Sequence, residues 1–342
     1  MCDIGDSAFF NCTSLTNITS ANSVTNIGYW AFESCTSLAS FAIPASVRSI
    51  GDAAFNNCTN LTAITVDELN PVYSSASGVL FNKLHTTLIT CPRGKAGSYI
   101  VPDSVTNLGI DAFYSLTGLT NITIPNSVNI IGDCAFAYCT SFINFTIPSG
   151  IRNIGDYAFA FCPGLSGLVL ANGISHIASG AFFNCSGLTS FTIPASVTTI
   201  GDSAFYNCRN MSNATILEGA TNIGINAFAY CTSLTNFSIP DSVSDLGAGA
   251  FYDCSGLIRL TIPARVTSIG DAAFYNCTKL NEVTIPSSVT SIGSQTFASC
   301  GSLKGITVEP RNSAYTSVDG VLFDKIGSSG KFVPGLMKSE QL

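Results

Sequence analysis

The chain has 342 residues with a formal net charge of −7, and 10% of its residues are charged, against about 25% in ordinary soluble domains. Hydrophobic residues make up 46%, which is enough to bury a large core and excludes a disordered chain. The acidic balance excludes a basic surface for nucleic acid, and no apolar run approaches the roughly 20 residues that span a membrane. Two histidines leave little room for a histidine-based metal or acid–base site.

A repeat dominates the sequence. We count twelve frames of the repeat, each opening with Ile or Leu and the first of them at Ile4, and eleven frames contain an Ala-Phe pair. The step from one frame to the next is 23 residues except between Ile50 and Leu108, where it is 58, that is 23 plus an insertion of 35. Self-similarity at this period is typical of proteins built from stacked repeats.

Each frame predicts the same elements in the same order. An alternating apolar run such as Ser190–Ile193 predicts a strand, and the proline that follows ends it because proline cannot donate to a ladder. A second short apolar step, as at Val197–Ile200, leads to a glycine turn. Asp in front of x-Ala-Phe, as at Asp202, then predicts the N-cap of a short helical turn.

One strand and one helical turn cannot bury an apolar face alone, whereas stacked copies can. The sequence therefore predicts an α/β solenoid, a right-handed superhelix with a parallel sheet on the concave face and short helical turns on the convex face. In chain order we expect repeats 1–3 over 1–66, an insertion over 67–107, repeats 4–12 over 108–308, and a partial second insertion-type unit with a tail over 309–342.

The frame Ile-Gly-Asp-x-Ala-Phe-x-x-Cys-x-x-Leu-x-x-Ile-x-Ile-Pro-x-Ser-Val resembles the BspA-type leucine-rich repeat family over nearly the whole chain. The resemblance implies a non-catalytic recognition or adhesion protein, secreted or on the cell surface, that binds host proteins, matrix, other cells or a glycan. It implies an extracellular location, although no signal peptide is visible at the start of this chain. We expect no cofactor, no nucleic acid and no membrane insertion.

Eleven of the fourteen cysteines occupy one position of the repeat, which we call the ladder position, and Leu116 fills it in one frame. Neighbouring coils about 4.8 Å apart would allow disulfides, but the first run has three members and Leu116 shows that the site accepts an apolar side chain. We favour buried free thiols over disulfides or a metal column. Cys91 and Cys134 lie off the ladder and remain candidates for reactive or paired thiols.

The outward positions of the predicted strands are polar and nearly neutral, apart from one arginine and one glutamate. They form the candidate binding surface for a protein or glycan, although threonine also suits exposed strands by propensity alone. A threonine array that orders water, as in ice-binding solenoids, is a further alternative. The residues are Asn121, Thr123, Asn144, Thr146, Thr192, Asn213, Thr215, Asn236, Ser238, Arg259, Thr261, Glu282 and Thr284.

A second stripe consists of aromatic residues just after the Ala-Phe pair. We expect packing between neighbouring turns, with a partner-binding stripe as the alternative. The stripe includes Phe10, Tyr114, Tyr138, Phe161, Phe183, Tyr206, Tyr230, Tyr252 and Tyr275.

The insertion carries Asn-Pro-Val-Tyr and Gly-Val-Leu-Phe segments that return in similar form near residue 312. We expect a hairpin-like flap over 67–103 with a return strand at 86–89, and it concentrates cations in a chain that is otherwise poor in them. A binding flap and a purely structural bulge both remain open. The candidate flap residues are Tyr73, Lys83, His85, Arg93 and Lys95.

A hydrolytic enzyme with its site around the insertion is the alternative from another functional class. His85 is the candidate base and Cys91 the candidate nucleophile, but no orienting acid lies near them. His176 precedes Ile177 in a variable slot and is expected to be an exposed repeat residue. We also expect either end-to-end self-association, since open sheet edges of terminal coils pair with other chains, or that the chain is a fragment of a longer protein.

Overall fold

The computed structural model describes residues 2–325. Two families of parallel strands run through it, a longer strand that in most coils precedes a proline and a short strand at each frame residue, and two antiparallel hairpins add to them. The first fourteen strands are β1 (Cys2–Ile4), β2 (Val24–Ile27), β3 (Ser40–Ile43), β4 (Ser49–Ile50), β5 (Ala63–Val66), β6 (Tyr73–Ala76), β7 (Val79–Asn82), β8 (Thr87–Thr90), β9 (Gly97–Ile100), β10 (Asn107–Leu108), β11 (Leu119–Thr123), β12 (Ile130–Ile131), β13 (Asn144–Thr146) and β14 (Asn153–Ile154).

The remaining strands largely continue this alternation, and the last two form a second hairpin. They are β15 (Gly167–Val169), β16 (His176–Ile177), β17 (Ser190–Ile193), β18 (Thr199–Ile200), β19 (Asn213–Ile216), β20 (Asn222–Ile223), β21 (Asn236–Ser238), β22 (Asp245–Leu246), β23 (Ser268–Ile269), β24 (Glu282–Ile285), β25 (Ser291–Ile292), β26 (Gly305–Val308), β27 (Tyr315–Val318) and β28 (Val321–Asp324). The predicted strand is confirmed before six of the seven repeat prolines, for example by β17, which ends directly before Pro194. Before Pro263 only an isolated bridge forms, at Arg259.

The strands divide between two compact units. The first is Met1–Ile143 with Pro148–Cys162, and the second is Asn144–Ile147 with Pro163–Leu342. In the first unit the short strands form the sheets β1-β2-β4 and β14-β12-β10-β8-β7-β6, and the long strands pair as β3-β5 and β9-β11. In the second unit the short strands form β16-β18-β20-β22-β23-β25, and the long strands form β13-β15, β17-β19-β21 and β24-β26.

The helical turns expected on the convex face are absent from residues 2–325, and this part of the prediction is wrong. In the coil that opens at Ile200, Ser203 and Asn207 have left-handed backbones (φ 54 and 61), which a right-handed helix cannot contain. The backbone amides alternate instead between two acceptors. Tyr206 N–H donates to Ser203 within the turn at 3.0 Å, whereas Phe205 N–H donates to Ala227 of the next coil at 2.8 Å.

The Asp that we expected to cap a helix instead joins neighbouring coils. Asp202 Oδ1 accepts a hydrogen bond from the amide of Ile225, 23 residues later, at 2.7 Å. Asp133 accepts from the amide of Asp156 in the same way at 2.9 Å. The side chain therefore ties one loop to the next because there is no helix N-terminus for it to cap.

A column of phenylalanines fills the core of each unit. Phe113 and Phe136 stack with ring centroids 5.0 Å apart in the first unit, and Phe205 and Phe228 stack at 5.2 Å in the second. Both distances lie within the range in which aromatic pairs attract one another. Within each unit the Phe of one coil stacks on that of the next, so successive coils bury a run of aromatic rings.

The insertion forms a hairpin and one shortened coil. Strands β6 and β7 pair antiparallel, β7 pairs antiparallel with β8, and β8 pairs in parallel with β10. Leu88 faces Leu108 in this register, and β9 pairs in parallel with β11. The hairpin is not a detached flap, since Val79, Leu80 and Phe81 are fully buried.

The same hairpin design recurs at the end of the described chain, where β27 pairs antiparallel with β28. The Tyr315 hydroxyl accepts a hydrogen bond from the amide of Ile292 at 2.9 Å, and Gly320 O accepts from the amide of Ile306 at 2.9 Å. The hairpin therefore covers donors on both β25 and β26. The part of the expected 309–342 unit beyond residue 325 lies outside the described residues.

Candidate functional site

The outward residues of the long strands form the surface that we call the strand face. In the second unit, parallel pairing aligns Asn213 with Ser190 and Thr215 with Thr192, and Ser238 follows Thr215 on the next strand. Burial alternates along β19, so that Asn213 and Thr215 are exposed while Ala214 and Ile216 are buried. The period of two thus separates a polar outer column from the core.

The predicted surface residues occupy equivalent positions in both units. In the first unit Asn121 and Thr123 lie exposed on β11. The second unit carries Asn144, Thr146, Thr192, Asn213, Thr215, Asn236, Ser238, Arg259, Thr261, Glu282 and Thr284. The described residues include the backbone of Asn144 and Asn236 but not their side chains.

A shallow depression in the strand face of the second unit is lined by Asn213, Thr215, Ser238, Arg259 and Thr261. Its polar groups are hydroxyls, an amide and a guanidinium, which together donate and accept hydrogen bonds. These side chains are exposed, and the depression is open. The arrangement can hold a polar ligand by several weak hydrogen bonds and one charged contact.

Arg259 and Glu282 are the two charged residues of the predicted set. A parallel backbone bridge joins them on neighbouring coils, and both side chains are exposed. A second shallow depression in this unit is lined in part by two exposed apolar side chains, Val169 at 62% and Leu217 at 44% exposure. The strand face therefore combines polar columns with two charged residues and some exposed apolar side chains.

Four of the five predicted flap residues make side-chain contacts inside the protein, and Tyr73 and Arg93 do so by hydrogen bonds to other coils. The Tyr73 hydroxyl accepts a hydrogen bond from the amide of Ile50 at 3.0 Å. Arg93 Nε donates to the carbonyl oxygen of Ser115 at 2.8 Å, and its terminal nitrogens donate to Asn57 and to the Ser115 hydroxyl. Burial lowers the pKa of Arg93. Arg93 therefore ties together two loops on either side of the shortened coil.

No contact within the described chain joins the other flap residues, Lys83, His85 and Lys95, into one site. Lys83 Nζ donates to the Glu68 carbonyl oxygen at 3.0 Å, the His85 ring stacks on Phe81 with centroids 4.9 Å apart, and Lys95 is half-buried. Burial raises the pKa of Cys91 to about 12, so this thiol is protonated at neutral pH. His176 is exposed on β16, as expected.

The ladder cysteines are free thiols, and nine of them are buried. Nine described ladder thiols donate to a phenylalanine carbonyl oxygen 26 residues earlier, at 3.0–3.3 Å. Burial raises the pKa of Cys58, Cys162 and Cys231 to about 12. The prediction of buried thiols is confirmed for these positions. No group of three or more potential metal ligands occurs within residues 2–325.

The turns opposite the strands form the loop face, which comprises the residues from each frame glycine to its ladder position. Its aromatic stripe packs on itself as expected, since Phe183 and Tyr206 stack at 4.7 Å and Tyr252 and Tyr275 at 4.8 Å. The sequence analysis missed a separate pair, Tyr29 and Trp30, which are each 51% exposed. One feature of the sequence could have indicated this pair, since Trp30 is the only tryptophan in the chain.

No helix among residues 2–325 is long and apolar enough to cross a membrane. The family model described as "BspA type Leucine rich repeat region (6 copies)" matches residues 1–96, 92–212 and 198–324. Among curated protein sequences, no relative matches the chain.

Solved structures of leucine-rich repeat proteins resemble the chain. One from Eubacterium ventriosum has 28% identity and a TM-score of 0.63, with 67% of this chain and 62% of that chain covered. The chain thus spans less than two thirds of that protein. A leucine rich cell surface protein from Faecalibacterium prausnitzii has 23% identity and a TM-score of 0.44, with coverage of 90% and 83%. A protein from Bacteroides ovatus has 25% identity and a TM-score of 0.35, with coverage of 84% and 83%.

Proposed function

Because the chain belongs to the BspA-type leucine-rich repeat family, we propose that it is a non-catalytic recognition or adhesion module that binds a protein or glycan through its strand face. The observation that carries the proposal is the exposed polar column of the second unit, in which Thr192, Thr215 and Ser238 follow one another in register. Regular backbone pairing holds these side chains in place, so that binding requires little ordering of the surface.

The depression beside Arg259 is the proposed centre of binding. A guanidinium among hydroxyls and an amide suits a polar partner that carries a carboxylate, such as an acidic glycan or an acidic protein segment. We place the module on the cell surface or among secreted proteins, by resemblance to its family. End-to-end self-association through β25 and β26 is not supported, because the hairpin of β27 and β28 already accepts hydrogen bonds from the amides of Ile292 and Val308.

The test measures binding of the purified chain to immobilised matrix proteins and to a glycan array. Thr215→Trp places a bulky ring in the middle of the polar column, whereas the control Asn210→Trp places the same ring at an exposed position of the same coil outside the strand face. We expect to find a ligand whose binding affinity falls at least tenfold in Thr215→Trp and does not change in Asn210→Trp. Absence of any ligand, or equal binding by both variants, would contradict the proposal.

The hydrolase alternative is disfavoured by the positions of its candidate residues. Cys91 is 5% exposed and its pKa is raised to about 12 by burial, whereas a nucleophilic cysteine needs a lowered pKa and access to substrate. Hydrolysis of a model ester or peptide that is lost in His85→Ala would overturn the non-catalytic assignment. The water-ordering alternative is disfavoured by Val169, which pairs with Thr146 and interrupts the threonine column. Arg259 and Glu282 add charged side chains to the neighbouring outward column.

A further inference from the structure

Tyr29 and Trp30 form an exposed aromatic pair on the loop face of the first unit. Their ring centroids are 6.4 Å apart at an interplanar angle of 56°. Trp30 has a left-handed backbone (φ 54), which a bulky side chain adopts only at a cost in free energy. The neighbouring coils have Ser7 and Ala53 at this position, so the stack of coils does not require an indole. Neither core packing nor backbone preference explains Trp30.

Two carboxylate residues flank this pair on the adjacent coils. Asp6 Oδ1 accepts the amide hydrogen of Tyr29 at 2.9 Å, and the carbonyl oxygen of Asp52 accepts that of Trp30 at 3.3 Å. Asp6 therefore lies on one side of the pair and Asp52 on the other. Both residues are exposed.

Asp52 differs from the aspartates that tie coils together. Asp202 uses its carboxylate to accept an amide 23 residues later, but the residue at that distance from Asp52 is Ser75, which lies in the hairpin. The Asp52 carboxylate makes no hydrogen bond with the part of the chain that the structure describes. The insertion thus leaves this carboxylate free beside Trp30.

More negative charge lies close to Asp52. The shortened coil lacks a loop of its own, so the loop before the insertion and the loop after it meet. Asn56 Nδ2 donates to Asp111 Oδ2 at 3.0 Å across this junction. Burial raises the pKa of Asp111, the Asn56 hydrogen bond opposes the shift, and the charges of Asp52, Glu33 and Asp133 raise the pKa further. Arg93 is also near the junction, but its donors are bound to Asn57 and Ser115.

We propose that Tyr29, Trp30 and Asp52, the aromatic–acidic patch, bind an arginine or lysine side chain of a basic protein segment. The ring faces attract a cation through their negative electrostatic potential. The negative charge of the free carboxylate attracts the same cation. Residues 2–66 carry four carboxylates (Asp3, Asp6, Glu33 and Asp52) against Arg48, a net charge of −3 that draws a basic partner to this surface. The patch is independent of the strand face.

The test uses the full chain and a fluorescein-labelled tetra-arginine peptide, with tetra-glutamate as the reversed-charge peptide. Binding is followed by anisotropy, and in the unmodified chain also by the emission of Trp30, the single tryptophan. We expect saturable binding of tetra-arginine, a change in Trp30 emission, no binding of tetra-glutamate, and weakening at high salt. Loss of the cation–π contact in Trp30→Ala should weaken binding about tenfold.

Two controls separate the patch from general charge attraction. Asp52→Asn should weaken tetra-arginine binding several-fold, whereas Asp241→Asn, the same loss of charge at an exposed residue outside the strand face, should not change it. Tyr157→Ala removes an exposed aromatic residue with a similar backbone (φ 54) and should bind as the unmodified chain does. Equal loss in Asp52→Asn and Asp241→Asn, or unchanged binding by Trp30→Ala, overturns the proposal. Thermal unfolding of each variant verifies that the coils remain folded.

Discussion

The thiol of Cys58 donates a hydrogen bond to the carbonyl oxygen of Phe32, which belongs to the preceding coil, at 3.0 Å. The same carbonyl oxygen also accepts the amide hydrogen of Cys35 at 3.1 Å, so the thiol supplies its second hydrogen bond, and one such bond contributes about 0.5–1.5 kcal/mol. Leu116 is the exception that supports the relationship. The coil before it is the shortened one, which has no Ala-Phe turn and therefore no equivalent carbonyl oxygen. A donor is unnecessary there, and an apolar side chain suffices.

Cys208→Ala should therefore destabilise the protein. The substitution removes the thiol that donates to the Phe182 carbonyl oxygen at 3.3 Å, while the Cys185 amide still donates to this oxygen. It also removes a buried sulfur, so we expect a loss of about 1–3 kcal/mol in the free energy of unfolding. Urea unfolding followed by circular dichroism measures this loss. Cys12→Ala is the control, because Cys12 is exposed; an equal effect of both substitutions would contradict the role of the thiol.

Stability should also fall in alkali. Burial raises the pKa of Cys58, Cys162 and Cys231 from the ordinary 9.0 to about 12. Between these values the unfolded chain loses protons that the folded chain retains, so the free energy of unfolding decreases as pH rises above 9 and is unaffected below it.

Urea unfolding at pH 8 and at pH 10.5 measures this effect. Each buried thiol contributes a slope approaching about 1.4 kcal/mol per pH unit. Cys231→Ala removes one such group and should make the fall with pH shallower. Equal stability of the unmodified chain at both pH values would show that the thiols ionise as readily when folded as when unfolded.

Arg93 should be a structural residue rather than a ligand-binding cation. Arg93→Ala removes its hydrogen bonds to Asn57 and Ser115 and leaves the Ser115 carbonyl oxygen without this donor, which should cost about 2–4 kcal/mol. Lys95→Ala, two residues later, should change stability by less than about 0.5 kcal/mol. Thermal unfolding compares the two, and a larger effect of Lys95→Ala would refute the assignment.

The sequence predicted those features that depend on local alternation and on the period. Proline ends β17 at Pro194, and the alternation of β19 identifies Thr215 as an outward residue. It did not predict the loop conformation, because Ser203 and Asn207 adopt left-handed backbones without being glycine, held by hydrogen bonds to the next coil. Nor did it reveal the bridge from Arg93 to Asn57, which joins residues 36 positions apart and appears in no local pattern.

The repeated tyrosine of the two hairpins gives a fourth prediction. Tyr315→Phe removes the acceptor of the Ile292 amide and should cost about 1–2 kcal/mol in the free energy of unfolding. Hydrogen exchange at Ile292 should accelerate, because this amide lies at the edge of its sheet. Tyr29→Phe, at an exposed ring, should alter neither quantity. An unchanged exchange rate at Ile292 in Tyr315→Phe would mean that the hydroxyl does not protect the edge.

Glycine should stabilise one position of the loop and destabilise the next. Ala272 has φ 51, a conformation that costs an L-residue roughly 1–2 kcal/mol and costs glycine nothing, so Ala272→Gly should gain about 0.5 kcal/mol after the greater flexibility of the unfolded chain is subtracted. Ala273 is fully buried and lacks a left-handed backbone, so Ala273→Gly should lose about 1 kcal/mol. Urea unfolding measures the change in the free energy of unfolding, which should have opposite signs for the two Ala→Gly substitutions. A loss of stability at both positions would mean that the left-handed backbone at Ala272 carries no strain. The left-handed residues that exclude a helix from these turns would then need another explanation.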